Sequence, residues 1–285
     1  GAAREGGAVP GFTSRDDIIN EMTVNGKVDL WNFYKVSSAP EAAGVWHSLW
    51  PGVGNPGVGT TSAGATPGTV FASDPASITA GSMFFPDRST DLRYMLSFGA
   101  VATQNCTLML YDRLAGVNLA VNTTGTKTVN SGALTRYSGT DAILNEAWLE
   151  VTTAGTTSAG VMNLNSYTSA DGNTGLSGSS VTHPSTTMNV QSMVQLPLAA
   201  TDQGIRSVEA GLNVGTAPSA MVANVLIIRP LARIGLLANV WNEVSLLDDV
   251  LGLPRIYDNA CLGLAFLASG TTATTFWGNI TCAYG

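Results

Sequence analysis

Charge is what this sequence has least of. Only 12% of its 285 residues are Asp, Glu, Lys or Arg, against roughly 25% in ordinary soluble domains. The surface must then be built from Ser, Thr, Asn, Gly and Ala. Such a neutral covering suits a chain packed against other chains, where buried charge is costly. The 13 cations against 20 acids give a net charge of -7. That balance supplies no basic patch for a phosphate backbone and excludes a nucleic-acid role.

Histidine is nearly missing. His47 sits in GVWHSLW between Trp46 and Trp50, and His183 sits in VTHPST. Catalytic histidine needs a partner that orients its ring. No G-x-S-x-G elbow occurs, so core or groove roles are expected and acyl transfer is not. The three cysteines, Cys106, Cys261 and Cys282, are odd in number and contain no C-x-x-C pair. Buried free thiols are expected, with neither a zinc site nor a disulfide framework. No phosphate loop appears. No apolar run nears the roughly 18 residues of a membrane span, and the opening lacks a signal-peptide pattern. A soluble chain without metal or cofactor is expected.

Paired carboxylates are the remaining route to catalysis. Asp16 and Asp17 fall at the start of a helical pattern, which already accounts for them. Glu146 and Glu150 flank Trp148 in EAWLEV, where residues i and i+4 of a strand share one face. That face is expected to be exposed, and a sugar-binding groove there is the alternative. Asp248 and Asp249, with Asp258 and Arg255 nearby, fit an ion-pair cluster and lack the calcium-loop spacing. No catalytic residue is assigned, and the chain is expected not to be an enzyme.

What is present is β-structure. TSRDDIINEM (13–22) has a hydroxyl cap, acids in its first turn and apolar residues at helical spacing, which predicts one short helix. Asn25-Gly26 ends it, the aromatic stretch Leu30, Trp31, Phe33, Tyr34 follows as a strand or second short helix, and residues 1–36 read as an N-terminal arm. Residues 37–90 read as an extended region centred on the Gly-, Pro- and Ser-rich stretch 51–82. Residues 91–285 carry about nine strand-like runs: 92–101, 106–111, 147–153, 161–167, 188–198, 205–214, 221–228, 261–267 and 274–284. Their period-two spacing and Gly/Asn turns favour antiparallel pairing, hence an all-β fold of β-sandwich or jelly-roll type. Only WNEVSLLDDVL (241–251) interrupts with helix character. Five aromatics, Trp31, Phe33, Tyr34, Trp46 and Trp50, crowd the first fifth of the chain. They either anchor the arm on the core or dock onto a partner. Arginine outnumbers lysine ten to three, which suits bidentate pairing at subunit contacts.

Several stretches resemble a family of bacteriophage virion structural proteins. They are GFTSRDDIINEMTVNG, EAAGVWHSLW, FGAVATQNCTLMLYDRL, the LTRYSGTDA to EAWLEV segment, and RPLARIGL followed by LGLPRIYDNACLGLAF. The resemblance implies a capsid cement or decoration protein on the icosahedral head. Its partners would be the major capsid protein and itself, as a homotrimer, on the surface of a particle assembled in the bacterial cytoplasm. The alternative is a receptor- or glycan-binding tail or head fibre built around Trp148. If the arm carries the attachment, deleting residues 1–36 should leave a folded core that no longer binds capsids.

Overall fold

The computed structural model describes residues 11, 12, 14–38, 40–88, 90–155, 160–183, 189–246 and 252–285. Strands dominate them, and the fold is all-β. The predicted helix forms as α1 (Arg15–Thr23). The Ser14 side chain caps it by accepting the Asp17 N–H at 3.1 Å, and Asp16 and Asp17 lie in its first turn. The negative charges meet the positive end of the helix dipole.

After α1 come β1 (Val28–Val36), β2 (Trp46–Ser48), β3 (Val53–Asn55) and β4 (Thr69–Val70). The long strands β5 (Arg93–Ala102) and β6 (Cys106–Ala120) follow, then β7 (Gly125–Thr128), β8 (Glu146–Thr153) and β9 (Gly160–Ser169). Short β10 (Leu176–Ser177) and β11 (Val181–His183) lead to β12 (Ser192–Leu196), β13 (Ile205–Thr216) and β14 (Val222–Leu236). The chain finishes through β15 (Asn242–Ser245), β16 (Arg255–Ile256), β17 (Leu262–Ala268) and β18 (Thr275–Tyr284). Each of the nine predicted runs contains a strand.

Three sheets result. The first runs β15-β5-β18-β1-β3, with β16 also on β5, and the second runs β10-β9-β13-β7, with β11 also on β9. The third runs β14-β8-β12-β2-β17-β6 and closes, because β6 pairs with β14 along nearly its whole length; β4 adds to β6 outside the ring. One face of this ring joins Leu108, Leu110, Leu149, Val225 and Phe266 to Phe33, Phe98 and Phe276 of the first sheet and to Leu164 and Leu212 of the second. That face therefore points outward, and the two flanking sheets pack on it. The other face, with Met109, Tyr111, Trp148, Met193 and Leu226, fills the interior as a separate cluster. The fit is tight: a Cβ added to Gly263 would stand 2.8 Å from the Tyr111 ring.

Two expectations change. Residues 28–36 are not an arm: β1 pairs with β18 at nine positions and with β3 on its other side. Residues 241–246 are not helical, and 242–245 are strand β15 on β5; the remaining part of the expected helix, 247–251, lies outside the described residues. The 51–82 stretch does lack long strands, yet part of it closes one end of the ring. There the Asn224 amide accepts the Ala63 N–H at 2.9 Å and donates to the Thr61 carbonyl at 2.7 Å.

Candidate interaction surface

Glu146 and Glu150, considered for catalysis, are both engaged. Glu146 and Glu150 do share a face of β8, but it turns into the ring and is not exposed. Glu150 pairs with Arg113 at 3.2 Å and accepts from Asn224 at 2.7 Å, and both charged residues are buried. Glu146 pairs with Arg233 at 2.8 Å and accepts the Trp148 indole N–H at 2.8 Å. Trp148 is buried between them, so neither the exposed face expected there nor the alternative of a sugar groove forms. Asp258 pairs with Arg93 at 3.0 Å, whereas Arg255 lies over the Tyr257 ring; Asp248 and Asp249 lie outside the described residues. Among the described residues no group of three or more His, Cys, Asp or Glu is placed to hold a metal.

Both histidines are buried. His47 Nε2 accepts the Ala42 N–H at 3.0 Å, and its ring lies 5.7 Å from that of Phe266. Neither nitrogen of His183 has a hydrogen-bond partner among the described residues. Burial pulls both down, His183 to about 4. An unfolded histidine titrates near 6.5, so the unfolded chain binds more protons between about pH 4 and 6.5. Stability should therefore fall as pH is lowered through that window, with His183 alone contributing about 2 kcal/mol by pH 5. Urea midpoints at pH 7 and pH 5 for the wild type and His183→Gln check this. An equal pH dependence in the two proteins would contradict it.

The five aromatics expected at a partner contact divide. Phe33 and Trp50 are buried in the chain's own core, Phe33 stacked on Phe98 at 6.0 Å and Trp50 beneath Gly59 and Gly81. Trp31 and Trp46 are half-buried, Trp31 against Phe84 and Phe85 and Trp46 edge-on to Trp148. Tyr34 alone is open to solvent, 40% exposed, and its ring meets that of Trp277 at 5.6 Å. Four of the five thus serve the fold of this chain.

Tyr34 belongs to a larger surface that the aromatic cluster did not reveal. Strand alternation places Val28, Leu30, Asn32 and Tyr34 of β1 on one face, with their partners Thr281, Asn279 and Trp277 of β18 beside them. Val53 and Asn55 of β3 extend this outer face on one side. On the other, Glu243 of β15 faces Gly99 of β5, and the Trp241 ring covers Gly99 so closely that a Cβ there would meet it at 2.6 Å. Leu30 (58%), Val53 (57%), Trp241 (47%) and Trp277 (44%) are exposed to a degree unusual for side chains of their size. Glu243 is the one charged residue among the residues of β1, β3, β18, β5 and β15 on this face. An uncharged, aromatic-bearing sheet face has the composition of the centre of a protein interface.

Comparison with known proteins adds little. No protein-family profile matches the chain, and no curated protein does. Among solved structures, a subviral particle of the infectious bursal disease virus protein VP2 aligns over 93% of this chain and 85% of that one, at 8% identity and a TM-score of 0.20. The structure of the Gx strain of the same virus aligns over the same shares at 8% identity and a TM-score of 0.19. Scores of this size do not establish a shared fold.

Proposed function

We propose that this chain is a non-enzymatic structural component of a bacteriophage particle. In this reading it is a head cement or decoration protein that binds the major capsid protein as a homotrimer, and its three sheets are an elaborated β-sandwich of jelly-roll type. The observation that carries the reading is the outer face of β3, β1, β18, β5 and β15, with Tyr34, Trp277, Trp241, Leu30 and Val53 exposed on a surface almost free of charge. The resemblance of the sequence to phage virion proteins and its low overall charge point the same way. Burying such a face against a capsid would remove apolar area from water at about 25 cal/mol per Å2 and desolvate few charges. Trp277→Glu is expected to leave the fold intact and to abolish cosedimentation with capsids stripped of this protein. Unchanged attachment of that variant would sink the proposal.

A second reading rests on the same face. Asn32, Asn55 and Asn279 border the Tyr34–Trp277 pair, and aromatic rings flanked by amides also suit a sugar. Glycan-array binding that is lost in Trp277→Ala, with capsid attachment intact, would favour a fibre protein instead.

A further inference from the structure

A cavity of about 320 Å3 lies where the segment 137–144, the middle of β14 and residues 252–257 meet. Ile143, Leu144, Leu231 and Leu253 give it apolar walls, and Arg229 and Arg255 bring two guanidinium groups to it. A recess of about 220 Å3 shares Leu144, Pro230 and Leu231 with it and continues to Glu146 and Arg233.

Both arginines are held in place by aromatic rings and backbone carbonyls, and the Asp141 carboxylate on the same cavity acts on Arg229 without forming a close ion pair with it. Arg229 lies over the Tyr137 ring at 4.9 Å and donates to the carbonyls of Asp141, at 2.9 Å, and Ile143. Arg255 lies over the Tyr257 ring at 4.2 Å. The two tyrosine rings meet edge-on at 5.0 Å, so the cations share one aromatic support. Among the described residues no carboxylate lies within ion-pair distance of Arg229 or Arg255, whereas Arg88, Arg93, Arg113, Arg136 and Arg233 each have one. Two guanidiniums thus line one cavity whose described walls carry a single carboxylate, that of Asp141, which leaves net positive charge there for a carboxylate from outside.

Beside the cavity runs an unpaired strand edge. β8 pairs with β14 only as far as Ile228, whereas β6 pairs with it on to Leu236. The ladder to β6 shifts register between Pro230 and Ala232. Pro230 to Arg233 then line the two recesses, and among the described residues no strand pairs with their second side. Such an edge offers backbone groups to an incoming strand.

We propose that this groove binds an extended segment of another protein chain. The segment adds to the free edge of β14, one of its apolar side chains enters the cavity, and its carboxylate is clamped by Arg229 and Arg255. The carboxylate is that of the segment's chain end. The strand edge favours a peptide over a free organic acid. Arg255 belongs to β16 at one edge of the first sheet, but none of Leu30, Tyr34, Val53, Trp241 and Trp277 lines this site, so the two proposals stand or fall separately.

The probes are the pentapeptide Val-Thr-Val-Thr-Leu with a free carboxylate, its C-terminal amide, and N-acetylleucine, titrated calorimetrically into the wild type and Arg255→Gln. The free-acid peptide should bind with Kd below roughly 1 mM, the amide about tenfold more weakly, and Arg255→Gln should weaken the acid about tenfold at an unchanged melting temperature. Amide hydrogen exchange at Leu231–Arg233 should slow in the complex. Arg255→Lys should recover part of the affinity, since it restores the charge without the fork. Equal affinity for acid and amide, an unaffected Arg255→Gln, unchanged exchange, or no binding of the peptide would each overturn the proposal. N-acetylleucine binding as tightly as the peptide would overturn the assignment to an extended chain.

Discussion

Replacing Asp112 by Ala is expected to destabilise the protein by about 3–5 kcal/mol, a large part of the 5–15 kcal/mol that holds a typical domain folded. Asp112 has no exposure to solvent, and its two oxygens accept from Arg136 Nε and Nη2, each at 2.8 Å. One of them also takes the Cys261 N–H at 2.9 Å. Burial alone would disfavour the charge on Arg136, but Asp112 outweighs that and holds the guanidinium above its ordinary range. Removing the carboxylate therefore strands a buried cation and an amide at once. The double variant Asp112→Leu with Arg136→Met should be closer to wild type, because it removes both charges together and refills the volume. Urea denaturation measures all three proteins. A loss under about 1 kcal/mol in Asp112→Ala, or a double variant no better than the single, would show that the pair is not what ties β6 to the loop that carries Arg136.

Deleting residues 1–36 is expected to abolish folding, not to release a folded core. That stretch contains α1 and β1, and β1 lies between β18 and β3. Its loss would expose the edge of β18 and leave Arg93, which is fully buried, without the Asp29 carboxylate at 2.8 Å. Phe33 would also vanish from its stack on Phe98. The point variant Phe33→Ala isolates part of this and should cost about 3–5 kcal/mol. Circular dichroism with thermal melting tests the deletion. A truncated chain with native far-UV signal and a cooperative transition would mean that β1 is dispensable.

The reading of residues 28–36 as an arm failed for a physical reason. In VDLWNFYKV the side chains that turn inward are Asp29, Phe33 and Lys35, while Val28, Leu30 and Tyr34 face solvent. The usual rule that apolar residues point inward is inverted, because the charges have internal partners. Asp29 meets Arg93 and Arg88, and the Lys35 amine donates to the Gly52 carbonyl at 2.8 Å and the Gly57 carbonyl at 3.2 Å. The same effect hid half of β6. The expected strand stops at Tyr111 because Asp112 and Arg113 follow, yet both are buried and ion-paired on opposite faces, and the strand runs on to Ala120. β14 likewise passes through Pro230 by shifting register against β6. Where alternation is carried by apolar residues alone, as in β5, β9, β13 and β18, the sequence reading lies within a few residues of the structure. The outer sheet face was not legible. Its members, Leu30, Val53, Trp241 and Trp277, come from four separate strands or turns and meet only through pairing.

The pairing of β1 with β18 also sets a timetable. Val28 lies opposite Ala283 and Val36 opposite Thr275, so the contacts span almost the whole chain. β6 waits in the same way for β14, more than a hundred residues later, before the ring can close. Contacts this distant in sequence make for slow folding. On the ribosome, β1 emerges early, and beyond its three-residue pairing with β3 it has no strand along most of its length until residues 275–284 are made.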